Sequence, residues 1–276
     1  MGIRNALFEI YWGIERVIAP TLRYSQHLYE DFLKSHLQPG TEWLDLGCGH
    51  RVLPAWRSTT EAQLVRTAKR AVGTDYSLDS LRRHGSIALR VCADVTKLPF
   101  RSGVFDLATA NMVVEHLQNP AIVFREVNRV LKPGGVFLIH TPNAAGYTTI
   151  IARLIPDRLK NKVVHLLDGR QEEDIFSTFY RANTKRRIRW LARCTGFEVA
   201  SVKMIVSSAE FVVLPPLVLL ELVWIRMLMG RGLKGLRTNI IAVLRKGAEE
   251  CRAERGGSLL AGSVRLGERA VNGGQD

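Results

Sequence analysis

The feature of this sequence that most constrains its fold is a short apolar run that ends in two glycines one residue apart. The run reads Trp43-Leu44-Asp45-Leu46-Gly47-Cys48-Gly49. Its first four residues are typical of a buried β-strand, and the glycines let the backbone turn tightly and approach a ligand without a Cβ clash. The N–H groups at the start of a following helix would favour an anion at that turn. The run therefore predicts a strand–turn–helix unit that binds a ligand at the turn.

Short apolar runs alternate with helical stretches from residue 42 onward, which is typical of a parallel sheet with helices on both faces. Seven strands are predicted: Trp43–Leu46, Ala71–Thr74, Ala88–Cys92, Phe105–Ala110, Val136–His140, Phe197–Val202 and Asn239–Leu244. If the last two pair antiparallel, the sheet is mixed. The predicted fold class is therefore α/β, with a doubly wound seven-stranded mixed sheet.

The segments around these strands predict the organisation of the chain. Residues 1–40 read as a helical N-terminal cap and residues 41–246 as the main domain. Residues 143–183 and 207–236 are insertions long enough to form lids or interaction surfaces. Residues 247–276 are rich in Gly, Ser, Arg and Glu, and we expect them to form a disordered tail.

Acidic residues follow two predicted strands at the carboxyl edge, where doubly wound sheets bind ligands. Asp75 ends the second strand, where a carboxylate can accept hydrogen bonds from two vicinal ribose hydroxyls. Asp94 follows the third strand, where an acid can accept from an adenine amino group. Asp75 alone, like Asp45, would serve at least equally well as a strand-end cap. Their order together with the glycine turn favours a nucleoside ligand.

A nicotinamide dehydrogenase is the natural alternative for such a turn. It would require Gly-x-Gly-x-x-Gly, but Val52 occupies the sixth position. Its ribose-binding acid is expected about 20 residues further on, whereas Asp75 lies 28 residues after Gly47. Both observations argue against a dehydrogenase.

Further motifs follow in order: Leu98-Pro99-Phe100, Phe105-Asp106-Leu107, Glu115-His116 and Leu131-Lys132-Pro133-Gly134-Gly135. With these motifs, residues 43–140 resemble the class I S-adenosylmethionine-dependent methyltransferases, especially those of the ubiquinone and menaquinone pathways. The resemblance implies a Rossmann-like sheet, S-adenosyl-L-methionine as cofactor, and methyl transfer to a small-molecule acceptor.

The resemblance also implies which residues contact the cofactor. The turn and the acid before it would line the methionine end: Asp45, Gly47, Cys48 and Gly49. The remaining contacts would come from residues that follow the next three strands, with Asp75 at the ribose, Tyr76, Asp94 and Val95 around the adenine, and Asn111 near the sulfonium. The family often has a third glycine two positions after Gly49, where this chain has Arg51, so we expect a less open loop.

Two histidines near the carboxyl edge are candidate catalytic residues. Methyl transfer needs a general base only when the acceptor atom keeps its proton. His116 follows the fourth strand beside Glu115, which could orient it, although both could instead stabilise a helix start. His140 ends the fifth strand, and the alternative is a histidine with satisfied structural contacts. Some relatives bind a divalent metal through Glu-x-x-Glu-His, but Met112 occupies the first position here, so no metal site is predicted.

The net charge of +13 comes mainly from residues 151–276, which hold 22 of the 39 Lys and Arg but 13 of the 26 Asp and Glu. This excess favours an anionic partner or a solvated basic face, such as that of a helix starting near Lys185. Residues 211–229 are almost wholly apolar. They predict a helix over Pro216–Met229 that lies in a membrane interface, caps a pocket or forms a dimer contact. The cations Arg226, Arg231, Lys234 and Arg237 suit an anionic membrane surface.

Three functions remain open at this point. The first is methyl transfer to a small apolar or amphiphilic acceptor, such as a quinone precursor, lipid or lipid-linked sugar. The second is methylation of RNA or protein through the basic half, although residues 110–113 lack the Asp/Asn-Pro-Pro-aromatic motif and no RNA-binding module is recognisable, so nucleic acid is not favoured. The third is a non-catalytic, membrane-associated scaffold that binds the cofactor.

Cysteine spacing and the N-terminal residues indicate the compartment. The four cysteines form no CxxC pair, so neither a zinc site nor a disulfide framework is predicted, and a reducing cytoplasm is expected. Arg4, Glu9, Glu15 and Arg16 interrupt any apolar core at the N-terminus, so a signal peptide is not expected. The predicted location is cytoplasmic, on the inner face of a membrane if the 211–237 segment binds one.

Overall fold

The computed structural model describes residues 3–155, 177–212 and 214–247. The strands are β1 (Glu42–Leu46), β2 (Arg70–Asp75), β3 (Leu89–Cys92), β4 (Phe105–Asn111), β5 (Leu131–Pro142), β6 (Phe197–Ile205) and β7 (Asn239–Lys246). In the described ranges the helices are α1 (Ile3–Ile18), α2 (Ser25–His36), α3 (Ser58–Thr67), α4 (Leu78–Arg82), α5 (Pro120–Val130), α6 (Tyr147–Leu154), α7 (Lys185–Cys194) and α8 (Pro215–Leu228). The predicted tail after residue 247 and the middle of the 143–183 insertion lie outside the described residues.

The seven strands form one sheet in the order β3-β2-β1-β4-β5-β7-β6. Neighbouring strands from β3 to β5 are parallel, and β7 runs antiparallel to both β5 and β6. The predicted mixed seven-stranded sheet is therefore confirmed, and the antiparallel strand is β7. The carboxyl ends of β1 to β5 meet at one edge, which brings the candidate site residues together.

Strand β5 begins five residues earlier than predicted. Leu131 already pairs with Phe105, and the register then shifts between Phe105 and Leu107. The Lys132 ammonium pairs with the Asp106 carboxylate at 2.8 Å, which holds this irregular start against β4. The start of β5 was not predicted because residues 131–135 include two glycines, and glycine has a low strand propensity.

Helices cover both faces of the sheet, as expected for a doubly wound fold. On one face, α5 and α7 bury Phe124 and Leu191 against Phe137 of β5. On the other face, α2 and α3 pack Leu33 and Leu64 into a second buried cluster. The sheet is thus dry on both sides, which explains why its strands read as continuous apolar runs.

A third buried cluster joins α1 to α8. Tyr11 of α1 packs with Leu222, Ile225 and Leu228 of α8, beyond the end of β6. The Tyr11 hydroxyl accepts a hydrogen bond from the Ala209 N–H at 3.2 Å. The predicted helix over Pro216–Met229 is confirmed within one residue. In the described part of the chain, no helix is both long and apolar enough to cross a membrane.

Candidate functional site

A cavity of about 910 Å³ opens at the carboxyl edge of the sheet. Seven predicted cofactor-binding residues and one predicted catalytic residue line it: Gly47, Cys48, Gly49, Asp75, Tyr76, Asp94, Val95 and His116. Residues that were not predicted as site residues also line it, and among them are Arg51, Met112, Val113 and Glu115. The structure thus gathers most of the predicted set around one space.

The two glycines of the β1 turn have left-handed backbone conformations, with φ of +60° at Gly47 and +54° at Gly49. A Cβ on Gly47 would lie 2.7 Å from Cγ2 of Val113, so that position also lacks room for a side chain. A Cβ on Gly49 would meet no atom within 4 Å. Gly47 is therefore required by packing and conformation, whereas Gly49 leaves open space beside the cavity.

Asp75 connects the end of β2 to this turn. Its Oδ2 accepts a hydrogen bond from the Gly49 N–H at 2.9 Å, and its Oδ1 accepts from the Ser77 N–H at 2.8 Å. Each carboxylate oxygen has a second lone pair. The carboxylate can therefore hold the turn and still accept hydrogen bonds from a diol in the cavity.

The far side of the cavity is formed by the loops after β2 and β3. Tyr76 is 67% exposed, so its ring can lie against a ligand. Asp94 is exposed, and its Oδ1 accepts a hydrogen bond from the Thr96 N–H at 2.8 Å. That bond fixes the loop and leaves the second carboxylate oxygen available for a donor such as an exocyclic amine.

Asp45 does not line the cavity, which differs from the expectation that it contacts the methionine end. Its side chain is only 2% exposed and accepts a hydrogen bond from the Thr109 hydroxyl of β4. Thr109 in turn accepts from the indole Nε1 of Trp43 at 2.7 Å. Burial raises the pKa of Asp45 to about 7, and the nearby carboxylates add to the effect. This carboxyl group therefore stabilises the β1–β4 layer beneath the turn.

His140 and Asn111 also lie behind the cavity. The His140 ring is 2% exposed, with Nδ1 2.8 Å from Oδ1 of Asn111 and Nε2 3.1 Å from Nδ2 of Asn239. The amide of Asn239 can only donate through its nitrogen, so these contacts assign the proton to Nδ1 of His140. Burial lowers the pKa of His140 to about 4. Both ring nitrogens are engaged, which favours the structural alternative over a catalytic role.

His116 has the opposite environment. It lines the cavity, and its Nδ1 lies 2.9 Å from the Ser177 carbonyl oxygen. A carbonyl only accepts, so Nδ1 carries the proton and Nε2 holds the basic lone pair. Nε2 is 3.9 Å from Oε1 of Glu115, which can stabilise a proton there. The geometry therefore suits a general base.

Glu115 is held by a buried polar network that the sequence did not reveal. Its Oε2 accepts a hydrogen bond from the Thr141 hydroxyl at 2.9 Å. The Thr141 oxygen accepts from Nδ2 of Asn183 at 2.6 Å. Both partners are fully buried. The carboxylate beside His116 is therefore fixed from behind by residues of β5 and of the loop before α7.

The comparisons with known proteins agree with this geometry. Residues 44–139 match the family model described as a methyltransferase domain. The matched segment begins in β1 and ends in β5, so it contains the glycine turn, Asp75, Asp94 and His116.

The chain contains a class I S-adenosylmethionine-dependent methyltransferase domain. The resemblance that was drawn from the motifs is thereby confirmed.

Curated relatives match part of this chain. The demethylmenaquinone methyltransferase of Corynebacterium kroppenstedtii is 33% identical over 118 residues, which are 41% of this chain and 48% of that protein. The malonyl-[acyl-carrier protein] O-methyltransferase of Legionella pneumophila is 34% identical over 133 residues, 46% of this chain and 45% of that protein. The chain thus spans about half the length of the curated relatives it matches.

The fold of the methyltransferase domain has solved counterparts. The S-adenosylmethionine-dependent methyltransferase of Methanosarcina mazei superposes with a TM-score of 0.51 at 16% identity. The match covers 79% of this chain and 98% of that chain. At this identity the likeness shows the fold alone.

The segment that precedes α7 lies at one side of the cavity, where Ser177 belongs to the lining. The N–H groups of Phe179 and Tyr180 donate to the Glu115 carbonyl at 2.8 and 3.1 Å, and the Arg181 guanidinium donates to the Gln118 carbonyl. Tyr180 adopts a φ of +51°, which a non-glycine residue rarely does. The segment thus binds directly to the loop that carries His116.

Met112 is a site residue that sequence reasoning used only as an argument against a metal. It lines the cavity with a φ of +57°. Non-glycine residues in this conformation cluster at functional sites because the surrounding structure must hold them there. Among the described residues, no group of three or more His, Cys, Asp or Glu side chains could hold a metal ion.

Proposed function

We propose that this protein transfers the methyl group of S-adenosylmethionine to a small apolar or amphiphilic acceptor. The observation that carries the proposal is the joining of Gly49 and Asp75 by a 2.9 Å hydrogen bond at the mouth of the cavity. This contact fixes an open glycine turn beside a carboxylate, as a ligand with a charged amino-acid end and a ribose requires.

The residues around the cavity fit that cofactor. The space that a Cβ on Gly49 would fill is empty, so a ligand can approach the backbone there. Asp75 would accept from the ribose hydroxyls, and Asp94 with Tyr76 and Val95 would bind the adenine. Gly47 and Cys48 would lie at the methionine end. When bound, S-adenosylmethionine supplies an electrophilic methyl group on a sulfonium, which leaves the protein to position the acceptor and manage its proton.

We propose His116 as the general base for an acceptor that carries a proton. The Ser177 carbonyl holds the proton on Nδ1, so Nε2 can remove a proton from a hydroxyl or amine. Glu115 would stabilise the resulting imidazolium, and Thr141 keeps that carboxylate in place. Asn111 and Asp45 act as positioning residues in the layer behind the site, and His140 holds Asn111.

The acceptor class is inferred from the surroundings of the site. The relatives named above act, by their names, on demethylmenaquinone and on a malonyl-acyl carrier protein, so this domain family alone does not fix the acceptor. Here the insertions at the carboxyl edge, α6 and α8, are rich in apolar residues. An apolar or amphiphilic acceptor, such as a quinone precursor, lipid or lipid-linked sugar, fits that composition best. Such acceptors are held in membranes, and we propose that residues 211–237 bring the domain to the inner face of one.

The test uses purified protein, methyl-labelled S-adenosylmethionine and a host lysate that includes membranes. We expect label in the organic phase, and expect none with Asp75→Ala, which removes the proposed ribose contact. Label only in protein or nucleic acid would contradict the small-molecule acceptor. Cofactor binding without any labelled product would favour the non-catalytic scaffold.

A second candidate, methylation of RNA or protein, is favoured by one surface of α7. A groove there is lined by four cations and an indole: Lys185, Arg186, Arg189, Arg193 and Trp190. The Arg187 guanidinium lies 4.2 Å from the centre of the Trp190 ring. Cations interleaved with an aromatic ring suit a polyanion. The double variant Arg186→Glu/Arg189→Glu would abolish labelling of nucleic acid if this candidate were correct, and would leave organic-phase labelling unchanged if it were not.

A further inference from the structure

Helix α8 packs against α1 and is joined to α6 by the Tyr147–Glu221 hydrogen bond, and all three helices expose apolar side chains to solvent, which we call the three-helix face. On α8, Leu220 is 70% exposed, and Leu217, Val223 and Met227 are exposed with it. On α1, Val17 is 81% exposed. Ile10 of α1 and Ile150, Ile151 and Leu154 of α6 extend the face. Monomeric soluble proteins rarely expose so many large apolar side chains together, and such patches mark interaction sites.

Helix α8 is apolar on both of its sides. Burial in the third cluster accounts for the apolar residues on only one of them. Its inner side chains, including Leu222 and Ile225, are buried against α1. Its outer side carries Leu220 and Met227 where a surface helix normally has polar residues. The outer side of α8 is therefore built to contact a second apolar medium.

The one acidic residue of α8, Glu221, adds no negative charge to the exposed surface of this face. Glu221 is buried, and its carboxylate accepts hydrogen bonds from the Glu210 and Phe211 N–H groups and from the Tyr147 hydroxyl. It caps the turn before α8 and ties α6 to α8. No acidic side chain lies on the outer side of α6 or α8, and α1 adds one exposed acid, Glu9, beside Ile10.

Four exposed cations accompany the face: Arg16, Arg226, Arg231 and Lys234. In the described residues, none of their side chains has a hydrogen bond or an ion pair. Arg237, which the sequence grouped with them, has a different role. Its guanidinium donates to the Leu228, Met229 and Gly230 carbonyls and so caps the end of α8. The cations available to a partner are thus the four above.

The face is linked to the catalytic cavity by a short series of contacts. The Tyr147 hydroxyl of α6 donates to Glu221 of α8 at 2.8 Å. The guanidinium of Arg153, also on α6, lies 4.6 Å from the centre of the Tyr180 ring. Tyr180 is hydrogen-bonded through its N–H to Glu115, beside His116. A partner bound to the face therefore lies next to α6, which contacts the segment that is hydrogen-bonded to the loop of His116.

We propose that the three-helix face docks on an anionic membrane surface, with its apolar side chains in the headgroup–acyl boundary and its four cations against lipid phosphates. Apolar area flanked by cations is the combination that binds such interfaces. A second copy of the chain suits the face less well, because a symmetric contact would bring the cations of two copies together. The proposal rests on the proposed function, because it names the source of the apolar acceptor.

The test is flotation of the full chain with vesicles of phosphatidylcholine, with and without phosphatidylglycerol. We expect binding to the anionic vesicles at low salt and its loss at high salt, because the headgroup attraction is screened. Each cation near such a surface contributes about fivefold to partitioning, so Arg226→Glu/Arg231→Glu should reduce binding at least about tenfold. Leu220→Glu/Met227→Glu should reduce it comparably, although both side chains are exposed.

The matched control is Arg186→Glu/Arg189→Glu on α7, which makes the same charge change on another surface. It should still float, and all variants should bind the cofactor normally. An equal loss in the control would show that net charge alone drives binding and would overturn the proposal. So would failure of the unmodified chain to float, or a dimer that Leu220→Glu/Met227→Glu dissociates. Flotation without methyl transfer to a detergent-dispersed host extract would refute the proposed function and leave the docking intact.

Discussion

The polar residues at the carboxyl edge of the sheet form two layers with opposite environments. Gly49, Asp75 and His116 line the cavity. Asp45 and His140 lie behind it, buried and hydrogen-bonded to protein groups on neighbouring strands. Asp45 and His140 lie within the last residues of β1 and β5, whereas Gly49 and His116 follow β1 and β4. The order of the strands therefore brings a residue to this edge of the sheet. The packing of other side chains over that residue determines whether it can contact a ligand.

The largest expected effect separates the two histidines. Removing a general base typically costs about 10²–10⁴-fold in rate, so His116→Ala should lose about that much of kcat while its thermal stability changes little. His140→Asn should instead lose stability, because the ring contacts Asn111, Asn239 and Tyr29 inside the protein. The measurements are kcat and Tm of both variants.

Rescue by added imidazole provides the control for this pair. If His116 is the base, added imidazole should restore part of the lost kcat in His116→Ala and none in His140→Asn. A His140→Asn variant that folds normally, loses its activity and recovers it with imidazole would reverse the assignment of the two layers.

The sequence predicts the residues that line the cavity better than the buried residues behind it, and the reason is physical. Glycine turns and strand-end acids are local signals, and they located Gly47, Gly49, Asp75 and Asp94 around one cavity. The burial of Asp45 depends on Thr109, 64 residues away. All five residues of β1 are buried, so no alternation of polar and apolar residues marks which side chain faces the ligand.

Contacts between distant segments also limited the prediction of the role of His140 and of the packing of the helices. His140 is fixed by Asn239, 99 residues further along the chain. Tyr11 of α1 accepts a hydrogen bond from Ala209, 198 residues further along the chain and just before α8. The sequence predicted both helical segments but could not show that they pack together or which apolar side chains would remain exposed.

Asp45 and His140, the buried acid and base behind the cavity, should change the free energy of unfolding in opposite directions as the pH changes. Burial lowers the pKa of His140 from 6.5 to about 4, so across this range the unfolded chain takes up a proton that the folded chain lacks, and stability falls with falling pH. Burial raises the pKa of Asp45 from 3.8 to about 7, so the folded chain keeps a proton that the unfolded chain releases, and stability falls with rising pH. Each contributes at most about 1.4 kcal/mol per pH unit.

Two variants separate these opposed contributions. Asp45→Asn should make the free energy of unfolding fall more steeply as the pH falls from 6.5 to 4, because the Asp45 contribution no longer opposes that of His140. His140→Asn should make it fall less steeply or rise. Urea unfolding at a series of pH values measures both slopes. Slopes that change in the same direction in the two variants would contradict the assignment of both groups to the buried layer.

The smallest expected effect distinguishes the two glycines within the β1 turn. Both have positive φ, so an alanine at either position should cost about 1–2 kcal/mol in the free energy of unfolding. Gly47→Ala should cost about 1–3 kcal/mol more, because its Cβ would meet Val113 at 2.7 Å. Gly49→Ala meets no atom within 4 Å, so its additional effect should appear as weaker cofactor binding.

Shortening Val113 tests that difference directly, because its side chain causes the clash at Gly47 only. In a double-mutant cycle measured by urea unfolding, Val113→Ala should recover part of the stability lost in Gly47→Ala and none of that lost in Gly49→Ala. Equal coupling at both positions would mean that Val113 acts on the whole turn. Gly47 would then be required for its backbone conformation alone, and the distinction between a packed glycine and a ligand-facing glycine would not hold.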